Sequence, residues 1–167
     1  MKRFIMTSAI ILSIALIITA CRTSQVKLNP EIKLKINVSS LTDKEFQSVG
    51  TKELGNATKN DFKNIEFTLD VKHSNKILKR KITIPDIRKI ANSYDRERYW
   101  FGESYSQDNS KEKFAKYGYN FVLYSKGLDE QTIKNIFNSA EVKIAWVTKD
   151  GNKEEKIMKI GDVIQFE

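Results

Sequence analysis

The chain has 167 residues, of which 40% are hydrophobic and 30% charged, and its formal net charge is +8. This length is enough for one ordinary domain with a substantial core, and the basic charge favours polyanionic partners. The sequence contains one cysteine and one histidine, which excludes an internal disulfide and makes any zinc site or Ser-His-Asp triad depend on that single histidine.

Residues 1–21 have the pattern of an export signal. Lys2 and Arg3 precede an apolar run over residues 4–20, and Cys21 follows. A basic start, an apolar run and a small residue before the cleavage point are typical of a secretory signal peptide. The segment Ile-Ile-Thr-Ala-Cys resembles the lipobox of bacterial lipoprotein precursors, in which a small residue precedes an obligatory cysteine. That family usually has leucine where this chain has Ile18.

The resemblance implies that residues 1–20 are a lipoprotein signal peptide, removed before Cys21. The Cys21 thiol would carry diacylglycerol, and the new amino terminus a further acyl chain such as palmitate. Two or more acyl chains anchor a protein stably in a membrane. The implied location is the cell membrane, on its extracytoplasmic face. The alternative is an uncleaved transmembrane helix, for which this apolar run is near the lower length limit.

The implied partners follow from this location. The membrane is bound through the lipid anchor, and an envelope protein or a wall polymer is the further candidate partner. We expect no nucleic-acid partner and no cofactor. The loss of Lys2 and Arg3 reduces the net charge from +8 to +6. Abundant lysine, asparagine and isoleucine are typical of a Gram-positive source with a low-GC genome.

The first half of the exported chain predicts a tether and three strands. Residues 21–30 are a lipidated tether that ends in proline, and residues 31–167 form a single β-rich globular domain. Apolar and polar residues alternate over residues 31–38 and 65–72, which indicates two half-buried strands. Between them, Thr42 and Glu45 form a capping box that begins a short helix. After a turn at residues 73–76, residues 76–84 predict a strand that pairs with its predecessor as a hairpin, with Arg80 interrupting the apolar face.

The second half predicts further strands and another helix. Residues 85–93 are a short helix or an irregular edge segment, and residues 94–117 are the least regular part. A strand returns at residues 119–124, and Asp129 caps a helix of about ten residues with an apolar stripe. Two strands then flank the turn signal Asp150-Gly151, with Trp146 in the core. Gly161-Asp162 breaks the second of them, and a short apolar segment ends the domain.

Six or seven strands with two short helices in connections predict a mainly β fold. Regular spacing and polar outer faces favour an antiparallel β-sandwich of the immunoglobulin-like kind, although the cysteine pair of true immunoglobulin domains is absent. The alternative is an α+β roll, with one helix packed on an antiparallel sheet.

One stretch is a candidate recognition surface. Aromatic and arginine side chains dominate binding hot spots, and they are concentrated between residues 94 and 105. The residues of this surface are Tyr94, Arg96, Arg98, Tyr99, Trp100, Phe101 and Tyr105. The alternative is that Trp100 and Phe101 are apolar plugs that close the end of the sandwich.

No catalytic, cofactor-binding or metal site is predicted. His73 lies in a polar turn, where a histidine is usually solvated. The segment 102–106 lacks the final glycine of a nucleophile elbow. The sequence therefore predicts a non-catalytic binding or interaction module of the cell envelope. The alternatives are an envelope enzyme or accessory factor using carboxylates such as Asp95 and Glu103 in a cleft, and an immunity or inhibitor lipoprotein.

Overall fold

The computed structural model describes residues 29–167. The predicted signal peptide, the lipidation at Cys21 and the tether as far as residue 28 lie outside the described residues. The strands are β1 (Glu31–Ser40), β2 (Phe62–Lys72), β3 (Ile77–Thr83), β4 (Tyr99–Gln107), β5 (Phe114–Tyr124), β6 (Glu141–Thr148), β7 (Lys153–Lys159) and β8 (Ile164–Phe166). The α-helices are α1 (Asp43–Gln47), α2 (Ile87–Asn92), α3 (Glu130–Phe137) and α4 (Ile160–Val163), and short 3₁₀ turns lie at Lys52–Leu54 and Lys59–Asp61.

The strands form two sheets, and the two-sheet β-sandwich predicted from the sequence is confirmed. The larger sheet has the order β4-β5-β2-β1-β8 and the smaller one β3-β6-β7. All pairs are antiparallel except β1 with β8, which are parallel. When β1 to β7 are lettered A to G, the sheets are ABED and CFG, the strand order of constant-type immunoglobulin domains. The alternative α+β roll is not the fold of residues 29–167.

The predicted hairpin between the second and third strands is wrong. β2 belongs to the larger sheet, whereas β3 pairs with β6 in the smaller one. The backbone N–H of His73 donates to the carbonyl oxygen of Lys113 at 2.8 Å, and the chain then crosses to the other sheet. Alternation within a strand predicts which face is buried but not which strand lies beside it. A short connection spans the roughly 10 Å between packed sheets as readily as it closes a hairpin.

One hydrophobic core fills the space between the sheets. The apolar positions of the alternating strands provide most of it, as expected for period-two patterns. Its buried members include Ile65, Phe67, Leu69 and Val71 of β2, Val142, Ile144 and Trp146 of β6, and Ile133 and Phe137 of α3. Trp146 is 7% exposed, which confirms its predicted core position.

The predicted local signals are confirmed at the helix starts and at the last hairpin. The Thr42 hydroxyl accepts from the Glu45 N–H at 3.2 Å, and Glu45 accepts from the Thr42 N–H at 2.7 Å, which completes the capping box before α1. Asp129 accepts from the Thr132 N–H at the start of α3, an eight-residue helix. Gly151 has φ 82°, the left-handed conformation that the turn between β6 and β7 requires.

The segment predicted to be irregular contains β4 and the start of β5. The alternation of apolar and polar residues did not predict this strand, because its inward positions are occupied by small residues rather than apolar ones. The register with β5 pairs Gly102, Ser104 and Ser106 with core-facing Phe121, Tyr119 and Tyr117. A strand whose inward positions are glycine and serine, all three of them solvent-exposed at this edge, gives no hydrophobic period.

Candidate functional site

A second apolar cluster lies on the outer face of the larger sheet. The segment 41–61 folds back over this face where β1 ends and β2 begins. Its Leu41 and Val49 are buried against Phe62, Val122 and Tyr124 of the sheet. The cluster is therefore separate from the core between the sheets, and it forms one wall of a depression beside β4.

This depression is a groove of about 430 Å³ on the outer face, called the outer groove below. Leu41, Phe101 and Val122 provide its apolar surface, and Glu45, Glu103 and Asn64 provide polar groups. No lysine, arginine or histidine lines it, although the chain as a whole is strongly basic. A concave apolar surface with a few convergent polar groups is typical of binding sites.

Two aromatic side chains of β4 project from the same face as the outer groove. Phe101 is 40% exposed and Tyr105 is 60% exposed, and they pair in register with Val122 and Gly118 of β5. The Tyr105 ring lies across Gly118 and occupies the space that a β-carbon at residue 118 would need. The ring is thereby supported by the sheet while its other side faces solvent.

Glu103 lies between these two rings on the same face. It pairs in register with Asn120, and residues 29–167 offer its carboxylate neither an ion pair nor a hydrogen bond. Glu45, the other carboxylate of the groove, is bound within the capping box. The hydrogen bonds from the Thr42 N–H and hydroxyl hold the pKa of Glu45 below its ordinary value. Glu103 is therefore the groove carboxylate available to an incoming cation.

The candidate recognition residues do not form one surface. Tyr99 stacks on Phe121 with ring centroids 4.8 Å apart, and Trp100 packs against Phe62 and Tyr124 in the outer cluster. Tyr94 and Arg96 are exposed in the loop before β4 and do not line the outer groove. Phe101 and Tyr105 are the two that share a face with it.

Arg98, another predicted surface residue, is buried. Its guanidinium donates to both oxygens of Asp95, at 2.7 and 2.6 Å, and to the carbonyl oxygens of Tyr124 and Lys126 at 3.0 and 2.9 Å. These bonds fix the loop before β4 onto the end of β5. The hypothesised carboxylate pair, Asp95 and Glu103, is not brought together in the outer groove, because Asp95 is bound to Arg98 and does not line it.

We predict that Asp95→Asn changes the acid stability of the domain. The side-chain hydrogen bonds from Arg98 hold the pKa of Asp95 below its ordinary value, so the pair stabilises the fold above about pH 4. This contribution is lost as the pH falls through the depressed pKa of the folded state. Thermal melts from pH 7 to pH 2.5 should show Asp95→Asn less stable than the wild type at pH 7, with the difference shrinking below about pH 4.

The matched control for this prediction is Glu97→Gln, which makes the same acid-to-amide change at an exposed neighbouring residue and leaves the contacts of Asp95 with Arg98 and Arg96 intact. Its melting temperature should follow the wild-type pH dependence. A constant difference between Asp95→Asn and the wild type over the whole pH range would contradict the assigned pair.

His73 is half-buried rather than solvated, contrary to the expectation for a turn histidine. Nη1 of Arg80 donates to its Nε2 at 2.8 Å, and its Nδ1 lies 3.0 Å from the Ser74 carbonyl oxygen. It therefore serves to position Arg80. Within residues 29–167 no group of three or more His, Cys, Asp or Glu side chains is placed to hold a metal ion.

Several groove residues were missed by sequence reasoning. The sequence indicates only a capping role for Glu45, Asn64 precedes the predicted strand at residues 65–72, and Asn120 and Val122 lie at ordinary positions of the predicted strand at residues 119–124. They come together because the segment 41–61 folds onto the sheet, and nothing in the local sequence predicts that contact.

Comparisons with known proteins identify no relative of this chain: no family model matches it, and neither the curated proteins nor the solved structures contain a match. In the described part of the chain, no helix has the length and apolar character required to cross a membrane.

Proposed function

We propose that this protein is a membrane-anchored extracytoplasmic lipoprotein, tethered through lipidated Cys21, that acts as a non-catalytic binding module of the cell envelope. Its binding site is the outer groove together with the adjoining face of β4. The observation that carries the binding role is the exposed pair Phe101 and Tyr105 on either side of unpaired Glu103. Solvent-exposed aromatic rings beside an apolar groove provide the contact area of a recognition site.

The placement of the tether supports membrane attachment at the opposite end of the sandwich. Glu31, the first residue of β1, pairs with Lys72, so the tether enters beside the loops that follow β2, β4 and β6. Hydrogen bonds join these loops, including one of 2.7 Å from the Lys149 N–H to the Lys76 carbonyl oxygen. Six exposed lysines lie in or beside the loops: Lys72, Lys76, Lys111, Lys113, Lys149 and Lys153.

These lysines favour a position next to anionic headgroups, since each basic residue near such a surface contributes about 1 kcal/mol of attraction. The outer groove lies at the other end of β1, where Leu41 begins the folded-back segment. Ten residues of strand separate the two ends by about 30 Å. The proposed binding site is thus held away from the bilayer and accessible to other envelope components.

Binding is favoured over catalysis because the groove does not combine two available carboxylates. Glu45 is engaged by Thr42, and Asp95 is engaged by Arg98. An envelope enzyme would need a second acid or base within reach of Glu103. An immunity or inhibitor lipoprotein would use the same exposed face, and the identity of the bound partner distinguishes it from other binding modules.

We predict that a photoreactive p-benzoylphenylalanine at position 101 cross-links to an envelope component in the bacterium that makes the protein. The matched control places the same group at Ile157, which is exposed on β7 of the opposite sheet, away from the loops assigned to the membrane. Illumination should give a discrete adduct from position 101 and none from position 157. The parallel measurement is intact mass and membrane fractionation of the wild type and Cys21→Ser.

The wild type should be found in the membrane with a diacylglyceryl mass increment on Cys21, and Cys21→Ser should lack both. Equal membrane retention of the two with residues 1–20 still attached would disprove the lipid anchor. Equal adduct yields from positions 101 and 157 would disprove the assignment of the binding face.

A further inference from the structure

The two sheets have four edge strands, and β4 is the one without protection against pairing. Natural edge strands are blunted by short length, bulges, or charges that include inward-pointing ones. β8 has three residues, β3 has a bulge beside Lys79, and β7 has the sequence Lys-Glu-Glu-Lys-Ile-Met-Lys with two charges in register with core positions of β6. β4 has nine residues and one charge, each residue from Phe101 to Gln107 is exposed, and its bulge lies at its start.

On the side of β4 that faces away from β5, the unpaired backbone N–H and C=O groups belong to small residues. The Tyr124 N–H donates to the Arg98 carbonyl oxygen at 2.8 Å, so the even-numbered residues of β5 direct their N–H groups towards β4. Their partners in register are the odd-numbered residues from Phe101 to Gln107. The N–H and C=O groups of Gly102, Ser104 and Ser106 therefore point away from β5, towards solvent.

A cavity lies on each side of this edge. The outer groove adjoins Phe101 and Glu103, and a second cleft of about 330 Å³ lies on the inner side of β4, beside Tyr99, Tyr119 and Ile84. The charged residues of this cleft are already engaged, because Asp86 caps α2 and the Arg88 guanidinium lies over the Tyr99 ring. Gly102 and Glu103 line both. A strand added to this edge would direct alternate side chains into the two cavities, which is the arrangement that gives specificity in peptide recognition by strand addition.

A second copy of this chain is a poor occupant for the edge. β4 contains no lysine or arginine, so no β4–β4 register brings a cation to Glu103. The register that overlaps both strands fully is centred on Glu103 and places two carboxylates opposite each other, which is destabilising. The charge of the site instead matches a partner strand that has a basic residue at this position.

We infer that β4 binds an extended peptide segment of an envelope protein by strand addition, with a lysine or arginine of the segment opposite Glu103 and apolar residues on the inner side. This inference rests on the proposed binding role of the same face. It adds the partner class, a polypeptide rather than a wall polymer, and the backbone as the principal binding element.

The test uses a blocked peptide, Val-Thr-Val-Lys-Val-Thr-Val, titrated into the folded protein by NMR. The wild type should show saturable shifts of the Gly102, Ser104 and Ser106 amides. A peptide with glutamate in place of lysine should bind about three- to tenfold more weakly, since opposed charges are replaced by like charges. Glu103→Gln should abolish most of that preference.

Ser104→Pro is the variant that tests strand addition most directly. It removes an outward N–H without removing a bond to β5, and proline is accepted at such edge positions. It should lose saturable binding, whereas Ser104→Ala, which keeps the N–H, should bind within about twofold of the wild type. A peptide with every backbone amide N-methylated should not bind the wild type, which tests the same contact if the proline variant fails to fold.

Unchanged affinity of either Ser104→Pro or the N-methylated peptide, or shifts confined to residues outside β4, would overturn strand addition. So would a wild-type dimer that Ser104→Pro converts to monomer, because a second copy would then occupy the edge. An adduct from position 101 in cells that persists in Ser104→Pro would also reject strand addition while leaving the proposed binding face intact.

Discussion

Arg80→Met is expected to lower the free energy of unfolding by about 3–5 kcal/mol, because it removes one partner of a buried ion pair. The Arg80 side chain is 5% exposed and is ion-paired with Asp108. It also donates to the carbonyl oxygens of Asn109, Glu112 and Phe114 at 3.0, 2.6 and 2.8 Å. One side chain thus holds the connection between β4 and β5 onto β3. Methionine retains the volume of the stem and leaves these acceptors without a donor.

Urea unfolding measures this loss, and Lys79→Met is the matched control. Lys79 is the preceding charge on the same strand, and it faces solvent. Its replacement should change the free energy of unfolding by no more than about 0.5 kcal/mol. Amide hydrogen exchange should also accelerate in residues 108–113 of Arg80→Met before it does so in β2. A loss of less than about 1 kcal/mol would show that Arg80 does not hold the loop.

Arg80 also shows what the sequence predicts and what it leaves open. The alternation over residues 76–84 correctly predicts a strand, and it places Arg80 on the face that turns inward. A charged residue at an inward position needs a partner, but Asp108 lies 28 residues further along the chain. No local pattern connects the two. The same limitation explains the wrong hairpin, because the partner of a strand is decided by packing between distant segments.

In the candidate site, too, the sequence predicts local features but not the contacts between distant segments. The concentration of aromatic residues between positions 94 and 105 predicts a stretch that contains Phe101 and Tyr105, the two exposed rings that share a face with the outer groove. Tyr99 and Phe101 lie two residues apart, and regular alternation would place them on one face. The bulge between them instead turns Tyr99 onto Phe121 in the core and Phe101 into solvent. A one-residue bulge inverts every later side chain, and its position depends on the neighbouring strand.

The sequence did not predict the exposed edge of β4, for a related reason. The segment Gly-Glu-Ser-Tyr-Ser resembles part of a nucleophile elbow, whereas the structure places its small residues at the outward backbone positions of a strand. Gly102 is required there, since a β-carbon would lie 2.5 Å from the Asn120 carbonyl oxygen. The constraint is a close approach between two strands, which is defined only once both are placed.

Phe121→Ala and Phe101→Ala form a pair that separates stability from binding. Phe121 is buried, lies next to Ile65 in register and stacks on Tyr99, so its truncation should lower the free energy of unfolding by about 3–5 kcal/mol. Phe101 is a half-exposed ring on the opposite face, and its truncation should cost no more than about 1 kcal/mol. Urea unfolding of both variants and NMR titration with the lysine peptide are the measurements.

Phe101→Ala should lose affinity for the peptide by about tenfold at near wild-type stability, because an exposed aromatic ring contributes to binding rather than to the core. Phe121→Ala should retain affinity wherever it remains folded, since its side chain faces the core and the outward backbone groups of β4 are unchanged. The opposite result, with Phe101→Ala strongly destabilised, would mean that β4 is shifted by one residue relative to β5. The outward set would then be the odd-numbered residues, and the edge proposed for strand addition would be different.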